Sequence, residues 1–196
     1  MSKLIVDVSY HNGTIDWEKV KASGVQGAII RCGYGDNIAS QDDKQFKRNA
    51  DECTRLGIPW GVYLYSYAKT TAQAKSEAAH VLRLVAPYKG KMSYPIYYDL
   101  EQRGTESVAV QNGIVFGDII EAAGYWCGIY SGQYWYQKYI GNRLDRFTKW
   151  VARYSSQKPV GISGSYDMWQ YSSSGSVPGI NGRVDMNEVY RDFPSE

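Results

Sequence analysis

Eight short runs rich in β-branched and aromatic residues recur along this 196-residue chain, and helical spacing fills most of the gaps between them. The runs cover residues 4–8, 27–32, 60–67, 94–101, 126–131, 149–154, 167–171 and 183–186. The first gap, 15–23, carries Trp17 and Val20 on one side with Gly24 behind it. The second places Phe46, Ala50 and Cys53 at offsets 0, 4 and 7 and ends at Gly57. In the third, Thr70 or Thr71 caps a helix that turns Ala74, Ala78, Val81, Leu82 and Val85 inward and stops at Pro87. Thr105 is expected to cap the fourth, with Val108, Val115, Ile119 and Ala122 on one stripe and Gly124 as its stop. Only a short helix fits 133–140, and the last two joints are too short and too rich in Ser and Gly for full ones. Such alternation points to an α/β fold, an irregular (β/α) barrel of TIM-barrel type with reduced helices in the C-terminal half. One domain over 1–192 is expected, with 193–196 as a tail or the start of a linker, since no internal repeat or low-complexity stretch divides the chain.

A parallel barrel gathers its chemistry at the C-terminal ends of the strands. Asp7 closes the first run, Asp99 and Glu101 close the fourth, and Asp185 lies near the end of the eighth, beside the first around a closed barrel. On a strand of period two, Tyr97, Asp99 and Glu101 share a face, with the two acids about 6.6 Å apart along the backbone. Two such carboxylates cannot both stay ionised in a partly dry cleft, so one is kept as a proton donor beside a fixed negative charge. Cleavage of a glycosidic bond needs that pairing. A lone D-x-E at a strand end is more often there for solvation; four acids converging from three strands shift the balance toward chemistry. A Ca²⁺ or Mg²⁺ site is the competing use of these acids, but the spacing is not rich in metal ligands, so no metal and no cofactor is expected.

Eighteen Tyr and six Trp against four Phe favour rings with a polar tip, which stack on sugar faces as readily as they fill a core. Tyr63, Tyr65 and Tyr67 share a face of the third strand, and Tyr130, Trp150, Tyr154 and Tyr171 fall near other strand ends. Of these, Tyr63, Tyr65, Tyr130, Trp150 and Tyr154 are the expected substrate contacts. Gln170 joins them as a group able to bond a sugar hydroxyl or amide, or to satisfy a neighbouring loop.

Other chemistries find little material. A net charge of +2 without a Lys or Arg block suits no nucleic-acid groove, and no stretch approaches the ~20 apolar residues of a membrane span. Cys32, Cys53 and Cys127 form no CxxC pair and are expected as small buried groups in a reducing compartment. The two histidines stand alone, and His80, within a helical pattern, is expected at the surface or half-buried. The N-terminus reaches Asp7 too soon for a secretory leader, so synthesis in the cytoplasm is expected.

Asp7-Val-Ser-Tyr-His-Asn-Gly13, Ile15-Asp-Trp17, Ile29-Ile-Arg-Cys-Gly33 and Gly61-Val-Tyr-Leu-Tyr-Ser-Tyr67 together resemble glycoside hydrolase family 25. So do Tyr97-Tyr-Asp-Leu-Glu101, Trp150-Val-Ala-Arg-Tyr154, and Trp169-Gln-Tyr-Ser-Ser through Val184-Asp-Met-Asn187. These are the lysozyme-type muramidases of phage endolysins and bacterial autolysins, and the resemblance runs in order along nearly the whole chain. It implies a flattened, irregular barrel that hydrolyses the β-1,4 bond from N-acetylmuramic acid to N-acetylglucosamine in bacterial peptidoglycan. By position it implies Glu101 as general acid, Asp99 as its partner, and Asp7 and Asp185 as supporting cleft acids. Retention through the substrate's own acetamido group is expected. So are release to the wall by a phage holin-type or another non-Sec route, and a wall-binding module that is separate or missing. The alternative is a non-catalytic wall-glycan-binding module on the same barrel, against which the intact Asp99 and Glu101 speak. A chitinase-type enzyme would want a longer chain and a different acid-rich strand motif.

Overall fold

A computed structural model describes residues 2–196, so Met1, the expected first residue of the domain, lies outside the described residues. The strands are β1 (Lys3–Val8), β2 (Ala28–Tyr34), β3 (Trp60–Tyr65), β4 (Ile96–Asp99), β5 (Cys127–Gly132), β6 (Thr148–Ala152), β7 (Met168–Gly175) and β8 (Val184–Val189). They close in sequence order into one barrel, an α/β fold of TIM-like type. Helices α1 (Trp17–Ala22), α2 (Phe46–Leu56), α3 (Thr71–Val85) and α4 (Ala109–Ala122) pack outside its first half. Beyond β5 the helical joint shrinks to α5 (Gln133–Trp135), which runs into a π-helical turn at Tyr136–Ile140.

The barrel is not wholly parallel. From β1 to β7 each neighbour runs parallel, but β8 pairs antiparallel with both β7 and β1. A parallel return needs a crossover of a dozen or more residues, and the segment 176–183 between β7 and β8 is too short for one. The chain therefore turns back as a hairpin, and both last strands extend beyond their expected ends, to Gly175 and Val189.

Strand alternation sorts the core into two layers. On β1, Ile5 points inside the barrel with Ile29, Tyr97, Tyr130, Trp150 and Met168, while Val6 and Val8 face the helices with Ile30, Val62 and Phe116. Full burial of each large apolar side chain contributes roughly 1.5–3 kcal/mol. Space inside is tight: a Cβ on Gly128 of β5 would come 2.4 Å from the Tyr97 ring and 2.5 Å from Thr148 Oγ1. On the outer side Phe116 of α4 stacks flat on Tyr98, with centroids 3.9 Å apart.

Thr70 caps α3 by accepting from the Gln73 amide at 3.2 Å. Thr105 does not cap α4: its hydroxyl donates back to Gln102 O at 2.8 Å within a turn, and the helix begins only at Ala109. Residue 80 also departs from expectation. His80 is fully buried, with Nδ1 3.0 Å from Gly35 O and Nε2 2.7 Å from Asp42 Oδ1. The end of β2 lies over α3 here, and Gly33 makes the room, since a Cβ there would come 2.8 Å from the imidazole. The three cysteines are free and buried. Among the described residues no helix is long and apolar enough to cross a membrane.

Candidate active site

The strand ends surround a cleft of about 140 Å³ at the mouth of the barrel. Asp7, Asp99, Glu101 and Asp185 all line it, as do Tyr63, Tyr65, Tyr130, Trp150, Tyr154 and Gln170. Arg31 is the further lining residue and carries the only positive charge among the described residues of the lining. A larger hollow of about 470 Å³ lies at the opposite pole beside Tyr94, Trp126 and Phe193 and gathers no pair of acids. Tyr67 and Tyr171 stand outside the cleft. Tyr67 is exposed beside Tyr34 and Tyr65, and Tyr171 faces outward because Gln170, its neighbour on β7, faces in.

Asp99 is the last residue of β4, and Glu101 follows two residues beyond it, past the strand rather than on it. The Leu100 amide still donates to Tyr130 O at 2.9 Å, and the Ser66 amide donates to Asp99 O at 3.1 Å. The backbone under the pair is thus tied to β5 on one side and to the end of β3 on the other. Asp99 is buried, with Oδ1 lacking any hydrogen-bond partner, while Glu101 is exposed at the rim. Burial above all, then the nearby charges of Glu101 and Asp7, push the Asp99 carboxyl well above the usual carboxylate range, against a smaller pull from Arg31. Glu101 is also raised, by desolvation first and by the charge of Asp185. The interaction between the two carboxyls raises Asp99 and lowers Glu101, so of the pair Asp99 is pushed the harder toward its neutral form.

Asp185 enters the mouth by a route the sequence did not suggest. It lies near the start of β8, not its end, and because β8 runs antiparallel it pairs in register with Asp7. Burial and the Asp185 charge raise Asp7 well above the usual range. Two amides oppose this: Gln170 Nε2 and Asn187 Nδ2 each donate to Asp7 Oδ2 at 2.8 Å. Gln170 Oε1 in turn accepts from Tyr130 at 2.7 Å and Tyr154 at 3.0 Å. The Gln170 amide is therefore occupied within the protein, holding Asp7 and two tyrosines together. Trp150 behaves likewise, donating to Asn187 Oδ1 at 2.8 Å from a position 1% exposed, so it forms the floor of the cleft. Tyr154, 58% exposed, stands on the rim with a face open to a ligand. Tyr65 donates to Gln102 Oε1 at 3.0 Å, and Tyr63 packs edge-on against Trp150.

Arg31 and Asn187 were not singled out from the sequence as site residues. Both lie inside quoted motifs, and strand alternation alone turns them inward, Arg31 beside Tyr63 and Asn187 two residues past Asp185. No group of three or more His, Cys, Asp or Glu side chains among the described residues is arranged to hold a metal ion.

A family model described as glycosyl hydrolases family 25 matches residues 6–180. Among solved structures, the modular autolysin LytC of Streptococcus pneumoniae superposes with a TM-score of 0.83 at 35% identity, over 96% of this chain and 47% of that one. An autolytic lysozyme of Clostridium acetobutylicum is 27% identical over 93% of this chain and 54% of its own length. Lysozyme M1 of Streptomyces globisporus is 26% identical over 93% of this chain and 66% of its own. The chain thus spans about half the length of the first two.

Proposed function

The chain belongs to glycosyl hydrolase family 25, and from that premise we propose that it is a muramidase. It would cleave the β-1,4 bond from N-acetylmuramic acid to N-acetylglucosamine in bacterial peptidoglycan, acting at the cell wall. The observation that carries the reading is the pair formed by the buried Asp99 and the open Glu101 in one acid-lined cleft, both carboxyls raised above their usual range. The names of its autolysin and lysozyme relatives support the same substrate class.

In the proposed reaction a sugar covering Glu101 excludes water there and favours its neutral form. The N–H of the sugar's acetamido group donates to the Asp99 carboxyl and favours its charged form. Glu101, neutral, protonates the leaving oxygen. Asp99, now anionic, holds the acetamido group while its oxygen attacks the anomeric carbon. Inverting enzymes keep about 6.5–9.5 Å between their carboxyls to seat a water, and those with a protein nucleophile keep about 5–5.5 Å. The substrate supplies a third route, since the acetamido oxygen can attack its own anomeric carbon with Asp99 beside Glu101 to orient it, and retention through that amide is the reading we adopt. Asp7 and Asp185 add negative charge near a developing oxocarbenium centre.

Identifying the new reducing ends in a digest of purified cell walls tests the reading. Muramic acid at the reducing end is the expected result; glucosamine there, or no new ends, would overturn it.

A further inference from the structure

Glu77 of α3 is a buried carboxyl that lies outside the cleft and takes no part in the proposed reaction. It is 1% exposed, and its two oxygens accept three donors that all belong to the ends of β3 and β4. Oε1 accepts from the Tyr67 amide at 2.8 Å, and Oε2 accepts from the Ser66 hydroxyl at 2.7 Å and from the Tyr98 hydroxyl. Tyr98 directly precedes Asp99 on β4, and the Ser66 amide donates to Asp99 O at 3.1 Å. Burying a carboxyl is costly unless its lone pairs are met, and a fully met network is stiff. Glu77 therefore clamps these two strand ends from behind the barrel wall.

Asp99 has little else to aim it. Its Oδ1 has no hydrogen-bond partner among the described residues, so the direction of its carboxyl follows from where its backbone is fixed. On the β5 side that backbone is tied through the Leu100 amide. On the β3 side the last bond comes from Ser66, which lies past the end of β3 and is anchored by Glu77. We propose that Glu77 is a positioning residue for the hydrolysis, holding the ends of β3 and β4 so that the Asp99 carboxyl stands correctly beside Glu101. The inference rests on the muramidase reading above.

The test measures kcat and KM on soluble, peptide-free strands of alternating N-acetylmuramic acid and N-acetylglucosamine. Glu77→Met keeps the length of the side chain but offers no oxygen to the three donors. It should lower kcat by about 10–100-fold, the scale of a small misplacement of a catalytic group, with KM little changed. Glu77→Gln, which still offers an oxygen to the Tyr67 amide, should recover most of that loss. In an Asp99→Asn background, Glu77→Met should cost little further kcat; if that background turns over too slowly to measure, the split between kcat and KM decides alone. Melting curves report whether each variant folds. If Glu77→Met does not, Ser66→Ala and Tyr98→Phe each strip one donor from Glu77 and should each lower kcat about 2–10-fold. An unchanged kcat in the folded variants, a loss confined to KM, or the same fold-loss with and without Asp99 would overturn the proposal. A wild-type protein that leaves the strands uncut is a different outcome: it would refute the muramidase reading, and this inference with it.

Discussion

Asp7 of β1 and Asp185 of β8 face each other as register partners across an antiparallel ladder, at one of the two seams where the barrel changes direction. The C-terminal part of one strand meets the N-terminal part of the other there, so a reversed strand still delivers its acid to the mouth. Gln170 of β7 and Asn187 of β8 tie down Asp7, which leaves Asp185 the freer of the pair to act on Glu101.

Replacing Glu101 by Gln keeps shape and hydrogen bonding but removes the proton to be donated. Turnover of wall substrate should fall by roughly 10²–10⁴ or more, while binding to wall fragments persists. Near-normal lysis by this variant, in a turbidity assay, would rule Glu101 out as the acid.

Asp185→Asn tests long-range tuning. The Asp185 charge helps hold the Glu101 carboxyl above its ordinary range, so neutralising it lets Glu101 ionise at lower pH. The alkaline limb of the pH–rate profile should shift toward acid, with a smaller loss of rate than in Glu101→Gln. An unmoved limb would show that the two groups do not couple.

Asp99 should cost the protein stability. Its folded pKa is raised, so its contribution favours folding below the ordinary carboxylate range and is lost as pH rises toward the folded value. Asp99→Asn removes this titration. The variant should melt a few degrees above wild type at pH 7, where about 1 kcal/mol corresponds to roughly 2–4 °C, with the gap narrowing toward pH 4. A gap that ignores pH, or a less stable variant at pH 7, would contradict the burial argument.

Retention by substrate assistance makes the acetamido group indispensable. Walls whose muramic acid has been de-N-acetylated should resist cleavage by at least about 10²-fold, the scale lost with one positioned catalytic group. Native walls should release the retained anomer in an early NMR time course. Full activity on the deacetylated wall would remove the proposed nucleophile.

Much of this architecture was legible because local patterns and tertiary structure agree. Helical stripes such as Phe46, Ala50 and Cys53 are buried as their spacing requires, and the run ending at Asp99 is a strand buried throughout. What escaped depended on partners distant in sequence. The direction of β8 is set by the shortness of its connection, which periodicity does not record. The burial of His80 depends on Gly33 and Asp42, some forty residues away in sequence. The occupation of Gln170 by Asp7 joins residues 163 positions apart. Arg31 was hidden for another reason: a single charge in an apolar strand resembles an edge position until the barrel closes around it.

The reversed last strand also settles the polarity of attachment. Lys3, which opens β1, and Val189, which closes β8, are register partners, and the Lys3 ammonium pairs with Asp192. Both ends of the described chain therefore emerge together at the pole away from the mouth, whereas a parallel eighth strand would have left the C-terminus beside the cleft. Tethered by either end to a bead, a chip or a fused protein, the enzyme would present its open face outward, and immobilisation would leave the approach of a bulky, insoluble polymer unobstructed.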